Sequence, residues 1–286
     1  MATTYDAAGR RPPRSRRKFA ASFASNVVLL IFLGFVLLPV IWVVLTAFKN
    51  PAQAYEEPPT WAFRPTLLNF RTLFQSQFLA DLGHSAILMV LSTAVALILG
   101  VPAGYALARA NFRGKGFMTS WLVIAYVTPV IVFIIPLYVE YLKLGISGSY
   151  LALVLSYEIG LLPFTIFMMR SYFADLPVQL EEAAMIDGCS RARALRLVVL
   201  PVMWPAVVTV GILVAIASWG EYFVALVLTD QTTTTAPVAI YTFVGIEASD
   251  WGAMAAGSLL VILPVLILAV FIQRGLIRGL TSGAVK

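Results

Sequence analysis

The chain reads as an all-α membrane protein of six transmembrane helices with both termini cytoplasmic, and three observations predict this. The first is composition: of 286 residues, 60% are hydrophobic and only 12% charged, and the mean hydropathy is +0.89, whereas soluble domains carry about a quarter of their residues as charge. The second is the spacing of apolar runs able to cross about 30 Å of hydrocarbon, which fall at 26–48, 85–109, 117–141, 150–173, 197–228 and 253–277. The third is charge placement. Of the 20 lysines and arginines, all but Lys49, Arg64, Arg71 and Lys143 belong to the N-terminal segment, the second and fourth connections or the tail. The positive-inside rule puts those segments in the cytoplasm.

The chain therefore divides into a basic cytoplasmic segment over 1–25, a six-helix domain over 26–277 with a long cytoplasmic loop at 174–196, and a cytoplasmic tail over 278–286. The basic run from Arg10 to Lys18 followed by apolar residues superficially fits a secretory signal. Val27 to Leu45, however, is as long as a whole span and lacks a small-residue cleavage site, so it is read as a retained first helix. The fifth run exceeds one span and is expected to contain a helical lead-in outside the bilayer.

Several function classes drop out on residue inventory. One cysteine, Cys189, and one histidine, His84, leave no disulfide, no metal-ligating cluster and no histidine proton relay. The net charge of +6 resides at span ends, which the membrane explains without nucleic acid. Paired carboxylates and zinc motifs of an intramembrane enzyme are missing. Gly114-Lys115-Gly116 lacks the earlier glycine and the hydroxyl of a phosphate-binding loop, so the chain cannot cradle ATP in that way.

The two larger outer connections differ in character. Residues 49–84 hold Pro51, Pro58, Pro59 and Pro65 among Trp61, Phe63, Phe70 and Phe74, a pattern for extended pieces and a short amphipathic helix at the interface. The segment from Asp230 to Trp251, with four consecutive threonines from Thr232 to Thr235, is expected to be an exposed loop, either reaching a partner or serving as a solvated connector.

The long cytoplasmic loop carries helix punctuation. Asp175 can cap a first turn in which Pro177 is tolerated, and Gly188 supplies the left-handed stop, giving a helix of about three turns. Ala184 and Gly188 are four apart, making a small-residue face with Glu181 and Glu182 at its edge. Ser190 is expected to cap the next helix, which enters the bilayer at Val198-Val-Leu-Pro201.

These residues resemble a known family. Glu182-Ala183-Ala184, Asp187-Gly188 and, after nine residues, Val198-x-Leu200-Pro201 look like the EAA loop of ABC importer permeases, with valine where isoleucine is usual. The likeness extends to six spans, to Trp219-Gly220-Glu221-Tyr222 in the fifth and to the ending Gly279-Leu-Thr-Ser-Gly-Ala-Val-Lys286, which is similar to the MalG-type subunit of carbohydrate importers. Gly220 stands where carbohydrate permeases usually have asparagine.

The resemblance implies a type I ABC importer transmembrane domain in a bacterial or archaeal plasma membrane, paired with a second, MalF-like permease, a cytoplasmic ATPase dimer and an extracytoplasmic sugar-binding protein. ATP and magnesium would belong to the ATPase, with no cofactor on this chain. Glu181, Glu182, Ala183, Ala184, Asp187, Gly188, Leu200 and Pro201 would form the ATPase-coupling segment, and Thr281, Ser282 and Gly283 would reach the ATPase. The loop from Thr232 to Pro237 would touch the binding protein.

Within the spans, Glu158 and Glu221 are acids at hydrocarbon depth and so are functional candidates by default. Trp219, Glu221 and Tyr222 combine aromatic faces and hydrogen-bonding groups suited to sugar rings; Glu221 could equally form a structural interhelical bond. Gly100-x-x-x-Gly104 predicts close helix packing beside Pro102. The competing function is a secondary carrier for a small polar solute, but that class usually shows related halves, and no internal repeat is visible.

Overall fold

The structure, a computed structural model, describes residues 16–56, 58, 60–244 and 250–283; the side chains of 16–22, 24 and 272–283 lie outside that description. Among the described residues every regular element is a helix, and there are no strands. Five helices among the described residues are long and apolar enough to cross a membrane, and there are six crossings when the bent pair Lys115–Val127 and Ile131–Leu144 counts as one span. This agrees with the six-span reading and changes where several spans begin, break and end.

Helix α1 (Arg16–Ala47) exposes apolar side chains on nearly every side, Phe32 and Phe35 among them. A helix apolar all round belongs in lipid. Its last carbonyls would be orphaned in the interface, and Asn69 resolves this by donating from Nδ2 to the Ala47 and Lys49 carbonyls at 2.9 and 2.8 Å. Asn69 lies on α2 (Leu68–Gln75), the short helix expected in the 49–84 connection. Lys49 has almost no exposure, and its ammonium sits 4.4 Å from the centre of the Trp42 ring, an attraction between charge and ring quadrupole.

Helix α3 (Phe78–Arg109) starts seven residues before the expected position at 85. Asp81 and His84 make its first turns look polar, yet Phe78, Asp81 and Ser85 face inward and keep the helical period. It runs parallel to α6 (Tyr150–Asp175), and this pair is the centre of the bundle. The reason is the expected glycine spacing: a Cβ on Gly100 would stand 2.5 Å from Thr165 Cγ2, and one on Gly104 would stand 2.8 Å from Met169 Cβ. The backbones therefore approach as only small residues allow.

The third span is not the continuous helix expected over 117–141. It consists of α4 (Lys115–Val127) and α5 (Ile131–Leu144), bent by 92° at the intervening residues. Pro129 explains the break, since it lacks an N–H and forces the residue before it out of the helical region; Thr128 accordingly has ψ 124°.

The fifth crossing begins with the expected lead-in, α8 (Arg191–Ala194), followed by a wide π turn over Leu195–Val199 and then α9 (Leu200–Trp219). Beyond Trp219 it breaks at Gly220–Tyr222 and resumes as α10 (Phe223–Leu228). The excess length of that run is thus divided between both ends.

The segment after α10 is only partly the exposed loop expected. Thr232 is exposed, but Thr233 is buried and donates to the Gly148 carbonyl at 2.8 Å, while the Ala236 N–H donates to Ser85 Oγ at 2.8 Å as α11 (Ala236–Tyr241) begins. Asp230 accepts from the Thr232 hydroxyl and N–H, and these bonds hold its carboxyl below the usual carboxylate range. Helix α12 (Trp251–Gly283) packs along α1 and carries helical backbone into the region expected to be a tail. At about 1.5 Å per residue it exceeds the hydrocarbon thickness.

The α3–α6 contact yields a paired expectation. Gly104→Leu should lower the stability of the detergent-solubilised protein by about 1–3 kcal/mol through overpacking, read as a fall in thermal midpoint. Gly83→Ala, in a helix with open space around the new methyl, should leave it unchanged or raised by about 0.5–1 kcal/mol.

Candidate functional site

The α6–α9 connection folds into a two-turn helix, α7 (Gln179–Ile186), between two chain breaks. Asp175 does not cap it, contrary to expectation, because it ends α6; Leu176 then turns to ψ 130° ahead of Pro177, as a residue before proline must. Helix α7 begins without a side-chain cap and is shorter than the expected three turns.

Its other end is as the sequence predicts. Gly188 has φ +88°, the Cys189 N–H reaches back to the Ala184 carbonyl at 3.0 Å, and the Gly188 N–H reaches Met185 at 3.1 Å. That is the Schellman closure, which needs a residue without a Cβ penalty at the left-handed position. Ser190 then caps α8 through the Arg193 N–H at 3.4 Å.

The helical period divides α7 into two faces. Glu181 and Ala184, three apart, point into the protein, whereas Glu182, Ala183, Asp187 and Gly188 are exposed and Ile186 is 86% exposed. The small-residue face expected to combine Ala184 with Gly188 and Glu181 is therefore not the free one. The free face is Gln179, Glu182, Ala183 and Ile186, an acid and a bare aliphatic side chain one turn apart.

Glu181 is held by α3. Tyr105 and Arg109, four apart on one face of its last turns, meet the carboxylate together: Arg109 Nε donates to Oε1 at 2.7 Å and Tyr105 Oη to Oε2 at 2.8 Å. Arg109 Nη2 also donates to the Leu176 carbonyl at 2.7 Å. The sequence shows Arg109 only as one of the span-end cations. The i, i+4 pairing with Tyr105 marks a common face, but only the tertiary structure supplies the acid.

Leu200 and Pro201 mark the start of α9, where Pro201 stands in the first turn and needs no N–H partner. Pro201 is exposed and Leu200 partly buried; they lie at the start of α9 and not on the free face of α7. Backbone over 281–283 is helical, while the side chains of Thr281 and Ser282, together with residues 284–286, lie outside the described residues.

The polar residues of the spans are separated by the structure. Trp219 is 4% exposed and its indole N–H donates to the Val261 carbonyl of α12 at 2.8 Å, so it pins two helices. Glu221 occupies the break between α9 and α10 and accepts the Val224 N–H at 3.0 Å, satisfying a donor that the break would leave unpaired. It also lines a small cavity of about 80 Å³ with Ser156, Tyr157 and Ser218. Tyr222 lies partly buried against Phe223.

Glu158 is 8% exposed on α6, and neither carboxylate oxygen has a hydrogen-bond partner among the described residues. Among those residues no three His, Cys, Asp or Glu side chains converge to hold a metal ion.

A multi-pass bundle with broken spans and a short exposed helix set between two of them has the architecture of a membrane transport permease. Residues 100–282 match the family described as binding-protein-dependent transport system inner membrane component, and the chain belongs to that family as a permease subunit. It is 36% identical over 253 residues to the sulfoquinovosyl glycerol transport system permease protein SmoH of Agrobacterium fabrum, covering 87% of this chain and 89% of that one. It is 34% identical over 275 residues to the diacetylchitobiose uptake system permease protein DasC of Streptomyces coelicolor, covering 95% and 99%. A chain from the crystal structure of a bacterial ABC transporter involved in the import of alginate superposes with a TM-score of 0.77 at 22% identity, over 92% of this chain and 99% of that one; this likeness concerns the fold alone.

The role found for Trp219 is directly measurable. Trp219→Phe keeps a buried ring and deletes the bond to Val261, leaving a carbonyl under-satisfied; it should reduce thermal stability in detergent by about 1–2 kcal/mol. A substrate-contacting role would instead change uptake affinity at unchanged stability.

Proposed function

We propose that this chain is one permease subunit of an ATP-driven importer for a carbohydrate, a disaccharide or short oligosaccharide, handed over by an extracytoplasmic binding protein. The observation that carries the energy-coupling part is the exposed Glu182–Ala183–Ile186 face of α7, backed by a helix whose inner face is tied to the bundle. A bare aliphatic side chain one turn from a carboxylate gives this face both an apolar anchor and a polar contact, a combination suited to a protein cleft. The ATPase dimer is the partner for that cleft; ATP and magnesium reside there. The end of the bundle bearing α7 also bears Arg113, Arg191, Arg193 and Arg196, which supports a cytoplasmic placement for it and for both termini.

Carbohydrate as cargo rests on the relatives: sulfoquinovosyl glycerol and diacetylchitobiose are glycosides, and the permeases named for them cover most of this chain. The pocket beside Glu221, about 80 Å³, is too small for a disaccharide. The pathway is therefore completed by a second, MalF-like permease subunit, towards which Glu158 and the Glu221–Tyr157 cavity supply polar groups. Closure of the ATPase dimer would drive α7 and rock the bundle between inward-open and outward-open states.

Reconstitution of the full complex in proteoliposomes tests this reading. Uptake should require ATP inside the vesicle or on the ATPase side; uptake without ATP that follows a proton or sodium gradient would refute it. A thermal-shift screen of the cognate binding protein should select a glycoside. On the docking face, Glu182→Arg and Ile186→Asp should each weaken ATPase co-purification about tenfold or more, with the membrane helices folded by circular dichroism. Gly188→Val should do the same by straining the left-handed turn.

A further inference from the structure

Helix α7 is attached to the spans at one end by an extended link, Leu176–Pro177, and at the other by the Gly188 turn, neither of which resists bending as a helix does. Among the described residues, the one charged contact between its inner face and a span is Glu181, held by Arg109 and Tyr105 of α3. Both charges are largely withdrawn from solvent, with side chains 12% and 7% exposed, so neither is offered to a partner. A pair of this kind is held firmly, because separating it strands a buried charge.

The surroundings make the contact stiff. Arg109 also grips the Leu176 carbonyl, Tyr105 packs edge-on against Phe173 of α6, and Gly104 lies in backbone contact distance of Met169 and Arg170. The ends of α3 and α6 and the start of α7 thus form one corner, and α3 and α6 are the interlocked pair at the centre of the bundle.

We infer that the Tyr105–Arg109–Glu181 cluster is the joint through which motion of α7 reaches the spans. Glu181 is a positioning residue that transmits the stroke to α3 and α6; it is not a docking contact. This rests on the reading of α7 as the ATPase-docking helix. Loss of the joint leaves the ATPase seated on a helix that swings on its two links, so hydrolysis proceeds with less movement of the spans.

The test uses the complete reconstituted transporter and reads ATPase co-purification, ATP hydrolysis and substrate uptake together. Glu181→Gln and Arg109→Gln should each lower uptake per ATP hydrolysed about tenfold with the ATPase still bound. The exchanged pair, Arg109→Glu with Glu181→Arg, should restore most of the ratio. An unchanged ratio in the single variants overturns the inference, as does loss of ATPase binding, which would make Glu181 a docking residue. If the charge variants do not yield a folded permease, Tyr105→Phe decides, since it keeps the ring on Phe173 and removes only the hydroxyl: a several-fold fall in the ratio is expected, and no change overturns the joint. Retention of the ATPase by Glu182→Arg and Ile186→Asp would instead mean that the docking reading has failed, whatever the joint variants do.

Discussion

Helices α3 and α6 pack closely at Gly100 and Gly104, against Thr165, Ile166 and Met169. In lipid there is little hydrophobic drive to bring helices together, so association relies on van der Waals contact and on hydrogen bonds, both of which grow with proximity. Two glycines four apart open a flat strip on α3, and the methyl and methylene groups of α6 fill it. Helix α9 joins the same face, with Gly211 against Leu97. The remaining helices arrange themselves around this core, and α1, whose apolar side chains remain exposed in the single chain, depends on lipid or on another subunit for cover.

The backbone interruptions follow from a second constraint, that polar groups of the main chain need partners at membrane depth. At Pro129 the helix turns by 92°. At Gly220 it stops, and Glu221 takes over the duty of a cap for α10. At the end of α1 the side chain of Asn69 closes the orphaned carbonyls. Each interruption is paired with a side chain or a tight turn that satisfies what the break releases, which is why broken spans are tolerated here.

The same logic makes α7 informative. Its inward acid is engaged by a tyrosine and an arginine, while its outward acid, one residue later, is exposed. Two adjacent glutamates thus sit in opposite environments. A helix that is anchored on one face and bare on the other is suited to carry force between a soluble partner and the spans, and the parallel α3–α6 pair is positioned to receive it.

From the sequence alone, the membrane class, the number of crossings, the amphipathic α2, the glycine strip and the Gly188 stop were all legible. Each depends on local composition, on period or on the conformational freedom of one residue. Tertiary structure alone decided the rest. That α3 begins at Phe78 and not at 85 depended on Asp81 and Ser85 facing protein, and the break at Thr128–Pro129 could equally have been a modest kink had neighbouring helices supported it. The burial of Thr233, the place of Tyr157 beside Glu221 in a small pocket, the bond from Trp219 to Val261, and the opposite environments of Glu181 and Glu182 all require knowing which helices are neighbours. A sequence shows which faces a helix has, but packing determines which of them meets protein, because the partners lie far away along the chain, as Arg109 lies 72 residues from Glu181.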